Sequence, residues 1–168
     1  MSISNLVKEA MAKDEQFFVF KNAIAKPPTE KELYTYFTNK GLQKDEQFLR
    51  SRGDIPPDHY SYFGDMESNI KELYDLFCVE YRTTFIRTSL VNEVWASMHN
   101  DDGHTVHFNC LGRVRWRLQN KEGGEIHEVV LEPGDILYFK PMVQHETIPL
   151  TTRYGYIFTT CLDILDNG

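Results

Sequence analysis

The feature that most constrains this chain is a change of period near residue 83. From Thr84 onward, runs rich in β-branched and aromatic residues are broken by turn signals every ~8–12 residues, the rhythm of a β-sandwich or barrel. The runs are 84–91, Thr105–Leu111, 113–118, Ile126–Leu131, Ile136–Phe139 and 154–160, and Asn120-Lys121-Glu122-Gly123-Gly124 reads as a hairpin turn. Before residue 83 the text is helical. In 65–82, apolar residues fall at Met66, Ile70, Leu73, Tyr74, Phe77, Cys78 and Tyr81, the stripe of a helix with one buried face. Pro27-Pro28-Thr29 with Glu30 and Glu32 marks the capped start of a second helix over 31–39, stopped by Gly41. Phe17–Phe20 is a short run of strand type. The aperiodic stretch 51–64 reads as an ordered loop, whose Tyr60, Tyr62 and Phe63 either line a substrate mouth or plug the core. The expectation is one mainly β domain over 1–168, with a helical flank over 1–83 packed outside a barrel over 84–168.

At 168 residues and 41% apolar composition, such a domain buries roughly 70% of its unfolded surface and needs neither disulfides nor a structural metal to fold. Any metal is then there for function. With 18 Lys+Arg against 25 Asp+Glu the net charge is −7, which argues against nucleic acid or an anionic membrane as the main partner. The 3 cysteines, Cys78, Cys110 and Cys161, lack paired short spacing and suit free thiols in a reducing compartment. No apolar run has the length of a spanning helix, and the first fifteen residues carry no signal-peptide core. The expected location is the cytoplasm.

The chain has 6 histidines, distributed unevenly. His99, Asp101, His104 and His107 crowd together between two strand signals. His-x-Asp on an extended backbone sends an imidazole and a carboxylate from the same face, so both can meet one ion. A third ligand must come from elsewhere, and the candidate is His145, which follows the strand Ile136–Phe139 that a barrel can return beside the first. Two histidines and one carboxylate leave about three octahedral positions open, the arrangement suited to non-haem Fe(II). Zinc is less apt, since closed zinc sites take four ligands and often cysteine. His104 and His107 are three apart and face opposite sides of a regular strand. His59 and His127 read as ordinary surface or loop residues, Trp116 as core, and Glu146 as a solvent-facing neighbour.

The surrounding residues resemble a known family. His99-Asn100-Asp101, followed by Val106-His107-Phe108-Asn109-Cys110-Leu111-Gly112-Arg113-Val114-Arg115-Trp116-Arg117-Leu118, is similar to the first metal motif of the cupin-type, JmjC-related 2-oxoglutarate oxygenases. Leu131-Glu132-Pro133-Gly134-Asp135-Ile136-Leu137-Tyr138-Phe139 up to His145 is similar to that family's second motif with its distal histidine. The resemblance covers about 84–160 and implies a double-stranded β-helix, or jelly-roll. It also implies Fe(II) held by His99, Asp101 and His145, with 2-oxoglutarate as co-substrate. The family usually places a Lys or Arg for the far carboxylate of 2-oxoglutarate where this chain has Val114. The prolyl- and aspartyl-hydroxylase branches use instead a basic residue on the strand after the distal histidine, which here is Arg153; Arg113 or Arg115 are alternatives if the strand is bulged. Asn109 either hydrogen-bonds the co-substrate or satisfies strand backbone.

The function this implies is an Fe(II)- and 2-oxoglutarate-dependent dioxygenase that hydroxylates a protein side chain or a small metabolite. Two other readings remain: a metal-binding cupin that does not use 2-oxoglutarate, which Val114 favours, and a non-catalytic binding module, which intact ligands disfavour.

Overall fold

The computed structural model describes residues 2–32, 50–54, 72–73, 75–77, 81–88, 96–120 and 123–160. Helix α1, Ile3–Met11, is capped by Ser2, whose hydroxyl accepts from the Asn5 N–H, and it buries Ile3, Val7 and Ala10 at i, i+4 and i+7. The sequence reading had no helix here. Among the described residues ten strands follow: β1 Phe17–Phe20, β2 Arg50–Asp54, β3 Tyr81–Thr88, β4 Ala96–His99, β5 Thr105–Leu111, β6 Val114–Gln119, β7 Ile126–Leu131, β8 Ile136–Phe139, β9 Gln144–Pro149 and β10 Arg153–Thr160. They form a six-stranded sheet, β1-β8-β5-β10-β3-β2, and a four-stranded sheet, β4-β9-β6-β7, with antiparallel pairing throughout. This is the expected mainly β, double-stranded β-helix architecture.

Three expectations about the first half change. Residues 51–54, read as loop, belong to β2, where Gly53 pairs with Phe85. Tyr81 and Arg82, assigned to the end of a helix, begin β3, because β10 supplies backbone partners out to Thr160↔Tyr81. Phe17–Phe20, Arg50–Asp54 and Tyr81–Thr88 all join the larger sheet, so that sheet draws on the chain well before residue 84. The helical stripe is real where it is described: Leu73 is fully buried, and Phe77 stacks on His104 and Phe158 with ring centroids 5.1 and 5.9 Å apart. The capped start at Thr29 is also present, as a reciprocal capping box in which the Glu32 carboxylate accepts from the Thr29 N–H and the Glu32 N–H donates to the Thr29 hydroxyl. The rest of that helix, and Tyr60, Tyr62 and Phe63, lie outside the described residues.

Alternation along the strands makes two cores. Val106, Phe108 and Cys110 of β5, Ile136 and Tyr138 of β8, and Tyr154 and Phe158 of β10 pack outward beneath Ile3, Val7 and Ala10 of α1. Leu137 and Phe139 of β8 point inward and meet Val114, Trp116 and Leu118 of β6. The turn from β7 to β8 is held by Asp135, whose buried carboxylate accepts from the Lys21 ammonium at 2.6 Å and from the N–H groups of Asn22 and Glu132. Gly112, at φ 75°, carries β5 into β6, and any Cβ there would strike the Thr152 carbonyl at 2.1 Å.

Candidate metal centre and buried guanidinium

His99 ends β4 directly across from His145 in β9, which brings the two ring centroids to 4.3 Å. Asp101, two residues further, places Oδ2 3.6 Å from His145 Nε2. One ligand atom from each of the three lies within 4.8 Å of the others. Both imidazoles are turned the same way. His99 Nδ1 meets the Ser97 carbonyl at 2.8 Å and His145 Nδ1 meets the Val143 carbonyl at 2.9 Å. A carbonyl only accepts, so each Nδ1 carries the hydrogen and each Nε2 keeps its lone pair for a cation. Burial pushes the His145 imidazole down from its ordinary value, outweighing the opposing effects of the Val143 carbonyl and Asp101, so the ligating neutral form is favoured.

The centre has a closed floor and an open side. His145 is 4% exposed and packs against Phe139 and Trp116, with centroids 4.6 and 5.8 Å away, whereas His99 is exposed and Asp101 half-buried. Met142, at φ 66°, donates its N–H to the Asp101 carbonyl at 2.9 Å, tying the β8–β9 turn to the carboxylate's backbone. Two imidazole nitrogens and one carboxylate suit a first-row divalent ion with open positions rather than a closed structural zinc.

Deeper in the barrel lies a second polar group of residues. Arg153 starts β10 with its side chain inward, is 0% exposed, and has no hydrogen-bond partner among the described residues on Nε, Nη1 or Nη2. Burial pushes its guanidinium down to about 9, which leaves it a cation at neutral pH. The inner face of β5 adds Thr105, His107 and Asn109, all buried, with Thr105 Oγ1, both His107 ring nitrogens and Asn109 Oδ1 unpartnered. Trp116 Nε1 is likewise unpartnered. A contiguous path of rings joins the two places: His145 lies against Trp116, and Trp116 against His107 at 5.0 Å.

The structure thus brings His99, Asp101 and His145 together, and buries Arg153 and Asn109 within the same barrel. Asn109 makes both of its expected kinds of contact available. Its Nδ2 donates to the Gly112 carbonyl at 2.8 Å and to the Leu131 carbonyl at 3.4 Å, while its Oδ1 stays free. Arg115 is not brought in. Strand alternation puts Trp116 inside, so Arg115 points outward and sits 3.7 Å from Glu128. Arg113 is outside as well, paired with Glu132 at 2.8 Å, and Val114 is fully buried among apolar neighbours. Glu146, read as solvent-facing, is 7% exposed and paired with Arg117. His104 is structural, its Nδ1 2.9 Å from the Tyr138 hydroxyl. His107, weighed from the sequence with His104 as a ligand pair and set aside, lies on the inner face of β5 against Trp116.

No protein-family model matches the chain, and no curated protein matches it. Solved structures do. YcfD, a ribosomal oxygenase from Escherichia coli in complex with cobalt and 2-oxoglutarate, superposes with a TM-score of 0.59 at 18% identity over 92% of this chain and 51% of that one. The same protein with cobalt and succinic acid gives 0.59 at 17% identity over 92% and 51%. Its X-ray structure gives 0.55 at 16% identity over 96% and 53%. The chain therefore spans about half the length of these structures, and what it shares with them is the fold, a double-stranded β-helix.

Proposed function

We propose that this protein is an Fe(II)- and 2-oxoglutarate-dependent dioxygenase that hydroxylates a protein side chain or a small metabolite. The observation that carries the reading is the buried, unpartnered guanidinium of Arg153, reached through Trp116 and His107 from a His-Asp-His triad. An isolated buried cation costs several kcal/mol, and a carboxylate brought against it recovers that cost. Arginine offers that carboxylate two parallel N–H donors. The presence of cobalt, 2-oxoglutarate and succinic acid in the YcfD complexes supports the same assignment.

In this reading His99, Asp101 and His145 hold the ion, and their Nδ1 bonds to Ser97 and Val143 fix the ring orientation before it arrives. When bound, Fe(II) supplies the dioxygen chemistry in which 2-oxoglutarate becomes succinate and carbon dioxide and a substrate C–H becomes C–OH. Arg153 orients the co-substrate by its far carboxylate, and Phe139 and Trp116 keep water from the inner side of the site. The open side, at His99 and Asp101, is where substrate approaches.

Anaerobic titration with Fe(II) and then 2-oxoglutarate tests this. The expected result is one equivalent of iron and a visible charge-transfer band on adding the 2-oxo acid, with both lost in Asp101→Ala and His145→Ala. Iron binding without the band or 2-oxoglutarate turnover would leave a metal-binding cupin of another kind.

A further inference from the structure

Arg153 accounts for only part of the unsatisfied polarity inside the barrel. His107 is 0% exposed and neither ring nitrogen has a partner among the described residues, although a neutral imidazole carries one donor and one acceptor. A histidine kept for packing alone would be an expensive choice, since a buried polar atom left without a hydrogen bond bears its full desolvation penalty. The local backbone is shaped to receive this ring. Gly155 lies on the inner face of β10, two residues from Arg153, where the β5–β10 register shifts. A Cβ at Gly155 would come within 2.8 Å of His107 Cε1 and 3.2 Å of Nε2. The imidazole therefore lies across the glycine, in a space that only the missing side chain provides, on the Arg153 side of the barrel. Both burial and the positive charge of Arg153 hold the ring well below its ordinary value, so it stays neutral and adds no second buried charge.

We propose that His107 is a specificity-determining residue, the second hydrogen-bond donor to the distal carboxylate of the 2-oxo acid. With Arg153 it makes the chamber selective for dicarboxylic over monocarboxylic 2-oxo acids. The inference rests on the co-substrate reading above. A carboxylate has about four lone-pair sites, of which a bidentate guanidinium engages two. The His107 N–H supplies a third from a different strand, so the two groups approach the carboxylate from β5 and β10. A 2-oxo acid lacking that carboxylate would leave both groups unsatisfied, and sites built to bond a polar group reject analogues lacking it strongly.

The test is calorimetric titration of the Mn(II)-loaded protein with 2-oxoglutarate and with 2-oxobutyrate, which keeps the 2-oxo acid head and lacks the distal carboxylate. His107→Phe is expected to weaken 2-oxoglutarate on the order of ten- to a hundred-fold. It should leave Mn(II) and 2-oxobutyrate affinities unchanged. Its ligand-free melting temperature should hold or rise, because an apolar ring replaces unpaired polar atoms. Equal 2-oxoglutarate binding by wild type and His107→Phe overturns the proposal and leaves the co-substrate reading intact. Equal weakening of both acids with a lower melting temperature also overturns it, by showing that the ring is only structural. Should His107→Phe fail to fold, His107→Asn decides: it keeps a side-chain N–H and is expected to retain the preference for 2-oxoglutarate in part, and loss of both acids alike contradicts the assignment. A wild-type protein that binds Mn(II) and no 2-oxoglutarate removes the co-substrate reading itself.

Discussion

β5 is buried on both faces, and the two faces have opposite chemistry. Outward, Val106, Phe108 and Cys110 are fully buried beneath α1 and are apolar, with burial raising the Cys110 thiol far out of its ordinary range. Inward, Thr105, His107 and Asn109 are as deeply buried and are polar, each with at least one unmade hydrogen bond. β10 repeats the division, with Tyr154 and Phe158 outward and Arg153 inward. Burial by itself selects for the first kind of face, at roughly 25 cal/mol per Å² of apolar surface. The second kind costs free energy until its polar atoms find partners. One side of the same strand therefore carries stability, and under the proposed function the other carries binding.

The sharpest way to break this comparison is to cut a large side chain from the apolar face. Phe108→Ala should cost about 3–5 kcal/mol of unfolding free energy, measured by urea denaturation, with 2-oxoglutarate affinity of the folded Mn(II)-loaded protein within a few-fold of wild type. Loss of that affinity without loss of stability would show that the two faces are not separable. A smaller effect is expected at the clasp holding β8 in place. Burial raises the Asp135 carboxyl, but bonds from Lys21, Asn22 and Glu132 together outweigh it and hold the group below its ordinary 3.8. A lowered carboxyl contributes stability that is fully present above the unfolded value and is lost as pH falls through the folded one. Asp135→Asn should cost about 1.5–3 kcal/mol at neutral pH and flatten the stability profile below pH ~4. An unchanged acid limb would place that stability elsewhere.

Much of the barrel was legible because its strands are apolar. β5, β7 and β8 begin and end at the residues expected from pattern alone. β4 and β9 were not among the expected strands, although they carry two of the three ligands. The reason is physical. In Gln144-His145-Glu146-Thr147 the inward positions hold a ligand histidine and a threonine, so the apolar alternation that marks a half-buried strand is missing where the site is built. The triad was legible from His-x-Asp spacing and the resemblance together, and pairing of His99 with His145 supplied what spacing lacked. Arg115 was an alternative that required a bulged strand, and β6 pairs with β7 and β9 without a register shift, so its side chain stays outward. Arg153 was already preferred on the resemblance, and its burial separates it from the outward Arg113 and Arg115.

The central claim is that the inner face is a co-substrate chamber organised by Arg153. Its most direct test is calorimetric titration of 2-oxoglutarate into Mn(II)-loaded Arg153→Met, alongside melting of the ligand-free variant. The account expects Mn(II) affinity to be retained, 2-oxoglutarate affinity to fall on the order of a hundred-fold or more, and the ligand-free melting temperature to rise as an unpaired buried cation is removed. Undiminished 2-oxoglutarate binding with a lower melting temperature would contradict it, by making Arg153 a structural residue.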